Sequence, residues 1–410
     1  MINDKIKIAF ITPLMIIGGA ETYIINKCEW LINNGFDVIV ISEGGENVAN
    51  LPAGVDHTIV KGVSLPPTVF SRKLYQIFLK ELETVLVDNK VDVIEANNSY
   101  PAVHSAAIYK NIKIPFFINI LSDVTYRRNP LLKILTINID QFGLYYILTS
   151  DMNEYIQNFI NYKLHPNIIP IPVKAIPNVD NKDGKYILSV SRLSNEKDYV
   201  RHLMKDFFNL FQEDIFFCDY KLFIVGDGLL REELSLLASN LNKKANKEII
   251  QLKGTLVGQD LLDIYKKCSV FVGMGTTLLL AASCAKPCII AGFSPETKQF
   301  SWGFWGESEL DYNIIGIGSA NGRSHYSFSN SISRVLKSDI YKLNLGQVAY
   351  KMFSENYDND SIMRQWSAAY YKVIDIYKSK GNEIEKKLKY YDLWFVLYRQ
   401  VRTVVKLFKF

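Results

Sequence analysis

Long uninterrupted hydrophobic runs are missing from this sequence. No stretch of about 20 apolar residues escapes a charge, a proline or a glycine, so no membrane-spanning helix is expected. The nearest approach, 271–293, is broken by Lys286, Pro287 and its glycines. Cysteine is scarce as well. Cys28, Cys218, Cys268, Cys284 and Cys288 form no C-x-x-C pair and no cluster with the five histidines. That excludes a disulfide framework or a zinc module and suits buried, reduced thiols in a cytoplasmic protein. No metal is expected. A strong charge of one sign is lacking too: 47 basic and 42 acidic side chains leave +5. Nucleic acid is therefore not an expected partner, although a local basic patch is compatible with this balance. Low-complexity tracts and fixed-period repeats are also absent.

What remains is an ordinary globular composition, 48% hydrophobic, 13% aromatic and 22% charged over 410 residues. That length suggests two domains of roughly 150–200 residues. The opening "KIKIAFITPLMIIGGA" loosely imitates a secretory signal. Pro13 interrupts the apolar run, however, and the segment continues into an amphipathic helix, so a buried first strand is the better reading. The first half then alternates strand and helix. "KIAFIT" (7–12), "FDVIVIS" (36–42), "VDVIEAN" (91–97), "PFFINIL" (115–121) and "YYILTS" (145–150) are near-continuous apolar strands separated by helix-length segments. This pattern predicts a parallel sheet covered on both faces.

A polar stretch, "IPNVDNKDGK" (176–185), marks a linker, after which the pattern restarts. "YILSVSRL", "YKLFIVGDG", "IIQLKGTL", "SVFVGMG" and "CIIAG" are the strands of a second α/β half. From 344 the chain reads as helical. The expected divisions are a domain over 1–175, the linker 176–185, a domain over 186–357, a helix over 358–380 and a basic amphipathic tail over 381–410. The crevice between two such halves is the default ligand site.

Several segments carry the residue types that anion chemistry needs. "GGAE" (18–21) places two glycines between a first strand and its helix, where backbone can approach a ligand and helix N–H groups attract negative charge. In "SVSRLSNEK" (189–197), Arg192 and Lys197 directly follow a buried strand and suit a diphosphate. "FIVGDGLLREEL" (223–234) is a strand, a Gly-Asp-Gly turn and a helix opening, with Asp227 placed to cap that helix. "QLKGTL" (251–256) ends at Gly254, where main-chain groups could meet a nucleobase edge. "FVGMGTTLLLAASCAKPCIIA" (271–291) has the turn and helix start of a nucleotide-sugar site but no acidic side chain.

Taken together, "GGAE", "SRLSNEK" (191–197), "VGDGLLREEL" (225–234), "LKGTL" (252–256) and "AKP" (285–287) resemble the family 4 glycosyltransferases. These are retaining, nucleotide-sugar-dependent enzymes with the GT-B fold of two facing Rossmann-like domains. The resemblance spans 7 to about 375 and is most specific in the second half. It implies a donor site in which Gly18 and Gly19 meet the phosphates opposite Arg192 and Lys197. Gly226 and Asp227 would line that site, and main-chain groups of Thr255 and Leu256 would contact the base. Beyond Gly275, the amides of Thr276, Thr277 and Leu278 would hold the diphosphate, and the helix near 358–376 would cross back to the first domain. No cofactor or metal is implied beyond the donor.

The departures are specific. Of the family's two glutamates seven residues apart, the second falls at Leu280, and the loop for the first is shortened to Gly273–Met274–Gly275. A histidine usual after the fourth strand falls near Leu121, and an H-x-H-like pair reads Glu95–Ala96–Asn97. Asp123, Glu95 and His104 are the polar groups left near the acceptor, with Asp123 the candidate for catalysis.

The last segment, 386–410, sets Trp394, Tyr398, Val401, Val405 and Phe408 on one helical side and Arg399, Arg402 and Lys406 on the other. It suits an anionic membrane surface or a helix packed on protein. The expectation is a transferase that is cytoplasmic, or peripheral on the inner face of the cell membrane, acting on a lipid-linked or surface-polysaccharide acceptor. The alternative is a catalytically reduced relative that binds a glycan or partner, and an epimerase on the same fold is a more distant third.

Overall fold

A computed structural model describes the backbone of residues 5–121, 129–177, 184–292, 301–307 and 326–407, and their side chains apart from Asp151, Glu196 and 390–407. The chain divides into two compact units. Unit 1 comprises Met1–Pro172 with Asp360–Phe410, and unit 2 comprises Val173–Asn359.

Unit 1 runs β1 (Lys7–Ile11), α1 (Gly19–Asn33), β2 (Asp37–Ser42), β3 (Val55–Ile59), α2 (Arg72–Asp88) and β4 (Val93–Asn97). It continues through α3 (Ser99–Ile112), β5 (Phe116–Ile120), α4 (Pro130–Asp140), β6 (Tyr145–Ile147), α5 (Ser150–Ile160) and β7 (Asn167–Ile168). All neighbouring strands are parallel, in the order β3-β2-β1-β4-β5-β6-β7. The central strands are buried along nearly all their length between helices on both faces, although β4 and β5 carry Glu95, Asn97 and Asn119. β3, with the sequence VDHTI, is half-exposed at the edge.

Unit 2 repeats the plan with β8 (Tyr186–Val190), α6 (Tyr199–Glu213), β9 (Lys221–Val225), α7 (Arg231–Ala245), β10 (Ile250–Gly254) and α8 (Gly258–Lys267). It then adds β11 (Val270–Gly273), α9 (Thr276–Ser283), β12 (Cys288–Ala291), β13 (Ser301–Phe304), α10 (Phe328–Leu336) and α11 (Asp339–Asn356). The sheet order is β10-β9-β8-β11-β12-β13, with only β13 antiparallel. The two ends of the unit meet. The Val173 N–H donates to Tyr357 O at 3.1 Å, and Val173 bridges Asp358.

The last helix, α12 (Asn359–Leu407), is continuous, so the expected division between a helix ending at 380 and a separate tail is not present. Its Met363, Trp366, Tyr370, Val373 and Tyr377 complete the unit 1 core, and Ile384 and Leu388 extend that packing beyond 381. Lys113 also pairs with Glu385 at 2.6 Å. The physical reason for continuity is that apolar spacing persists through 388, with no proline to stop the helix.

Candidate functional site

In unit 2 the strand order reverses between β8 and β11, so the chain leaves these neighbouring strands toward opposite faces of the sheet. That divergence opens a crevice at their C-terminal ends. Arg192 lies two residues beyond β8, exposed, and makes no ion pair among the described residues. Lys197 closes a short 3₁₀ turn, Asn195–Lys197, and is half-buried.

From β11 the chain turns through Met274 and Gly275 into α9. Gly275 caps this helix with φ 66° and ψ −145°, a conformation that disfavours any residue with a Cβ. The Thr277 hydroxyl donates to Met274 O at 2.9 Å and steadies the turn. Of the three expected amide donors, Leu278 is already engaged, donating to Gly275 O at 3.1 Å. Those of Thr276 and Thr277 have no acceptor among the described residues. The first turn of α9 contains no acid, so its positive end is not neutralised from within. Leu280 stands half-buried one turn along.

Gly226 and Asp227 differ from expectation. A Cβ on Gly226, whose φ is 133°, would stand 1.9 Å from Ser191 O, and one on Gly228 would stand 2.5 Å from Leu193 O. Main-chain bonds lock this contact: Ser191 N–H to Val225 O at 3.0 Å, Leu193 N–H to Asp227 O at 2.9 Å and Gly226 N–H to Gly254 O at 2.8 Å. The turn therefore holds the Arg192 loop from behind. Asp227 does not cap α7, whose N-cap is Leu230. Its carboxylate accepts from the Gly228 N–H at 2.7 Å and pairs with Arg231, and these two contacts hold its pKa below the usual range. Thr255 is exposed and Leu256 half-buried just past Gly254.

Gly18 and Gly19 belong to unit 1 and open α1. Gly18 is extended, with φ −172°, and a Cβ on Gly19 would meet nothing within 4 Å. Torsion does not demand glycine at position 18, and packing does not demand it at 19, which leaves open room at the start of α1. Asp123 lies outside the described residues.

The other two polar candidates have structural partners. The His104 ring is buried between Tyr75 OH, 3.0 Å from Nδ1, and Leu65 O, 3.1 Å from Nε2. Burial pushes its pKa down to about 3, so it is neutral. Glu95 is fully buried: Lys27 Nζ reaches its Oε2 at 2.7 Å, Tyr370 OH donates to the same oxygen at 2.6 Å, and Asn119 Nδ2 donates to Oε1 at 2.8 Å. Lys27 also stacks 3.3 Å from the Trp366 ring centroid. Burial lowers its pKa to about 8 against the pull of Glu95. The sequence reading missed Lys27 and its partners. Its only signal is position, since Lys27 shares the i, i+4 stripe of Tyr23 and Leu31 on the apolar face of α1.

The described residues contain no group of three or more His, Cys, Asp or Glu side chains able to hold a metal ion. None of their helices is long and apolar enough to cross a membrane. Residues 17–142 match the model of Glycosyltransferase Family 4, and 174–352 match that of Glycosyl transferases group 1, well over half of the chain between them. The chain is a glycosyltransferase in which a Family 4 region precedes a group 1 region. Its fold agrees with that of solved glycosyltransferases. A glycosyltransferase from Rickettsia africae has a TM-score of 0.69 at 16% identity, over 90% of this chain and 99% of its own. Anabaena Alr3699/HepE, in complex with UDP and glucose, gives 0.62 at 14%, over 89% and 99%. The lipopolysaccharide outer core galactosyltransferase WaaB gives 0.60 at 15%, over 89% and 99%. At such identities the likeness shows the GT-B fold alone. No curated protein sequence matches the chain.

Proposed function

We propose that this glycosyltransferase takes a sugar from a nucleoside-diphosphate donor and adds it, with retention, to a lipid-linked or surface-polysaccharide acceptor. One observation carries the donor assignment. At the unit 2 switch point, a cation without an ion-pair partner among the described residues and the acid-free start of α9 occupy the ends of two neighbouring strands. A diphosphate gains negative charge as the sugar leaves, and prepositioned cations and amides stabilise that gain. Arg192, Lys197 and the amides of Thr276 and Thr277 fill this role. Thr255 with Leu256 meets the base.

Retention follows the family pattern, with a departing phosphate oxygen taking the acceptor proton and no protein nucleophile required. The HepE structures with UDP and UDP-glucose support the donor class. The acceptor reading draws on WaaB and on WaaG, described as involved in lipopolysaccharide biosynthesis. The basic, aromatic sequence 386–410 suits work beside an anionic membrane at its inner face.

The test is a calorimetric and turnover screen of nucleoside-diphosphate sugars on the full chain. One donor should bind and be consumed, and Arg192→Ala should weaken it about ten- to a hundredfold, as loss of a charged hydrogen bond does. Binding that survives both Arg192→Ala and Lys197→Ala unchanged would sink the site assignment.

A further inference from the structure

A shallow cavity of about 290 Å³, taken up to its mouth on solvent, lies between β13 and α10 in unit 2. Phe304 of β13 pairs with Ile289, and the Trp305 N–H donates to Cys288 O at 2.9 Å, so the cavity adjoins the start of β12. The donor crevice is at the opposite ends of the parallel strands β8 and β11. Asn330 and Arg334 stand one turn apart on α10 and line the cavity, with Tyr326 just before the helix cap. Two main-chain bonds pin Tyr326 to β13: Ser301 N–H to Tyr326 O at 3.0 Å and Tyr326 N–H to Ser301 O at 2.9 Å. Gly303, with φ 92°, leaves the floor bare. A Cβ there would stand 3.5 Å from the Tyr326 ring and 3.7 Å from Glu307 Oε2, so ring and carboxylate oxygen flank the same gap.

Folding accounts for half of this arrangement. Glu307 Oε1 accepts from Tyr341 OH at 2.5 Å and lies 3.1 Å from Arg334 Nη2. Arg334 is held in turn over the Tyr341 and Phe304 rings, 4.7 and 5.9 Å from their centroids. These contacts dock α10 and α11 on β13. Glu307 Oε2 and the Asn330 side-chain amide, by contrast, have no hydrogen-bond partner among the described residues. Charge then selects the ligand class. A free anion would be repelled by Glu307 and a free cation by Arg334, whereas a neutral polyol satisfies both. Its hydroxyls donate to Oε2 and accept from the remaining guanidinium and amide N–H groups. The Tyr326 ring, 42% exposed, offers an apolar face to C–H groups. A concave surface with an aromatic face and a few fixed polar groups suits a sugar ring.

We infer that this cavity binds one neutral sugar ring of a glycan. The ring's C–H face lies on Tyr326, and its hydroxyls bridge Glu307, Asn330 and Arg334. The site is separate from the donor crevice, and its one cation is already paired, so it holds a glycan rather than reacting with it. This grip does not depend on the donor assignment. For a transferase that extends a polysaccharide, it retains the glycan between transfers.

The test uses the full-length chain and saturation-transfer NMR with the methyl glycosides of glucose, galactose, mannose and rhamnose, each in turn. At least one should receive saturation and titrate with a millimolar Kd, the range for a single ring in an open cavity. Glu307→Gln should weaken that binding about tenfold, because a charged acceptor is lost. Asn330→Ala should weaken it several-fold, about the worth of one neutral hydrogen bond. Asn330 is exposed and has no described hydrogen bond from its side chain, so this variant should keep the parent Tm and misfolding cannot explain the loss. Arg192→Ala should leave glycoside binding intact, which separates the cavity from the donor crevice. No saturation of any glycoside, binding unchanged in both cavity variants, or binding lost with Arg192→Ala would each overturn the assignment. Donor turnover without glycoside should be unaffected by Asn330→Ala, so failure here is distinguishable from failure of the transferase assignment.

Discussion

In the proposed donor site the half-buried Leu280, one turn into α9, stands where a carboxylate would accept from ribose hydroxyls. Leu280→Glu is expected to tighten donor binding about tenfold, the equivalent of one charged hydrogen bond, as read by calorimetry. An unchanged affinity would mean that position 280 does not adjoin the ribose. His104 supports a prediction in pH. Its folded pKa is about 3 against an ordinary 6.5, so the unfolded chain takes up a proton that the folded one refuses. The resulting stability is complete above about 6.5 and is lost as pH falls from there toward 3, at up to about 1.4 kcal/mol per pH unit. His104→Gln should flatten the urea midpoint against pH in that window, although it lowers the midpoint at neutrality. The position of Arg192 just past a buried strand was legible in the sequence because the strand is an apolar run. Lys27 was not, because a lone lysine in an amphipathic helix ordinarily belongs to solvent, and its partner Tyr370 is far away in the chain.

The loops after β8, β9 and β10 act as one stitched element, and the glycine between them has a geometric cause. Gly226→Ala must displace Ser191 and the adjoining Arg192 loop. We expect it to destabilise the protein by about 2–4 kcal/mol through torsional strain and overpacking. It should also weaken donor binding, whereas a purely structural change remote from the site would leave affinity intact. Denaturant midpoints and donor titrations on the same variant separate the two. The packing of this turn against the Arg192 loop was not legible, because glycines that approach a phosphate and glycines that approach another loop look alike in one dimension. Strands such as β1, β4 and β11 were readable as apolar runs. β3 was not, since its edge position puts three consecutive polar residues, Asp56, His57 and Thr58, between Val55 and Ile59, and β13 followed no parallel crossover.

Both termini of unit 2 join one end of the unit, and the chain beyond them returns to unit 1 as α12. Hydrogen exchange should therefore show residues 360–388 protected together with the unit 1 sheet rather than with unit 2. Lys27→Met should cost about 3–5 kcal/mol by leaving Glu95 buried without its cation, and Lys27→Met/Glu95→Met should recover part of that loss in urea unfolding. If the double variant is no better than the single, the pair is not the source of the cost. On a ribosome this connectivity imposes an order of events. Unit 2 is contiguous and can mature once its last residue has emerged, but the sheet made first must wait for Trp366 and Tyr370. At typical elongation rates the interval from Pro172 to Tyr370 is roughly 10–40 s. Throughout it the oldest part of the nascent protein keeps an uncovered lysine–glutamate pair, making this the stage at which a chaperone has most to protect.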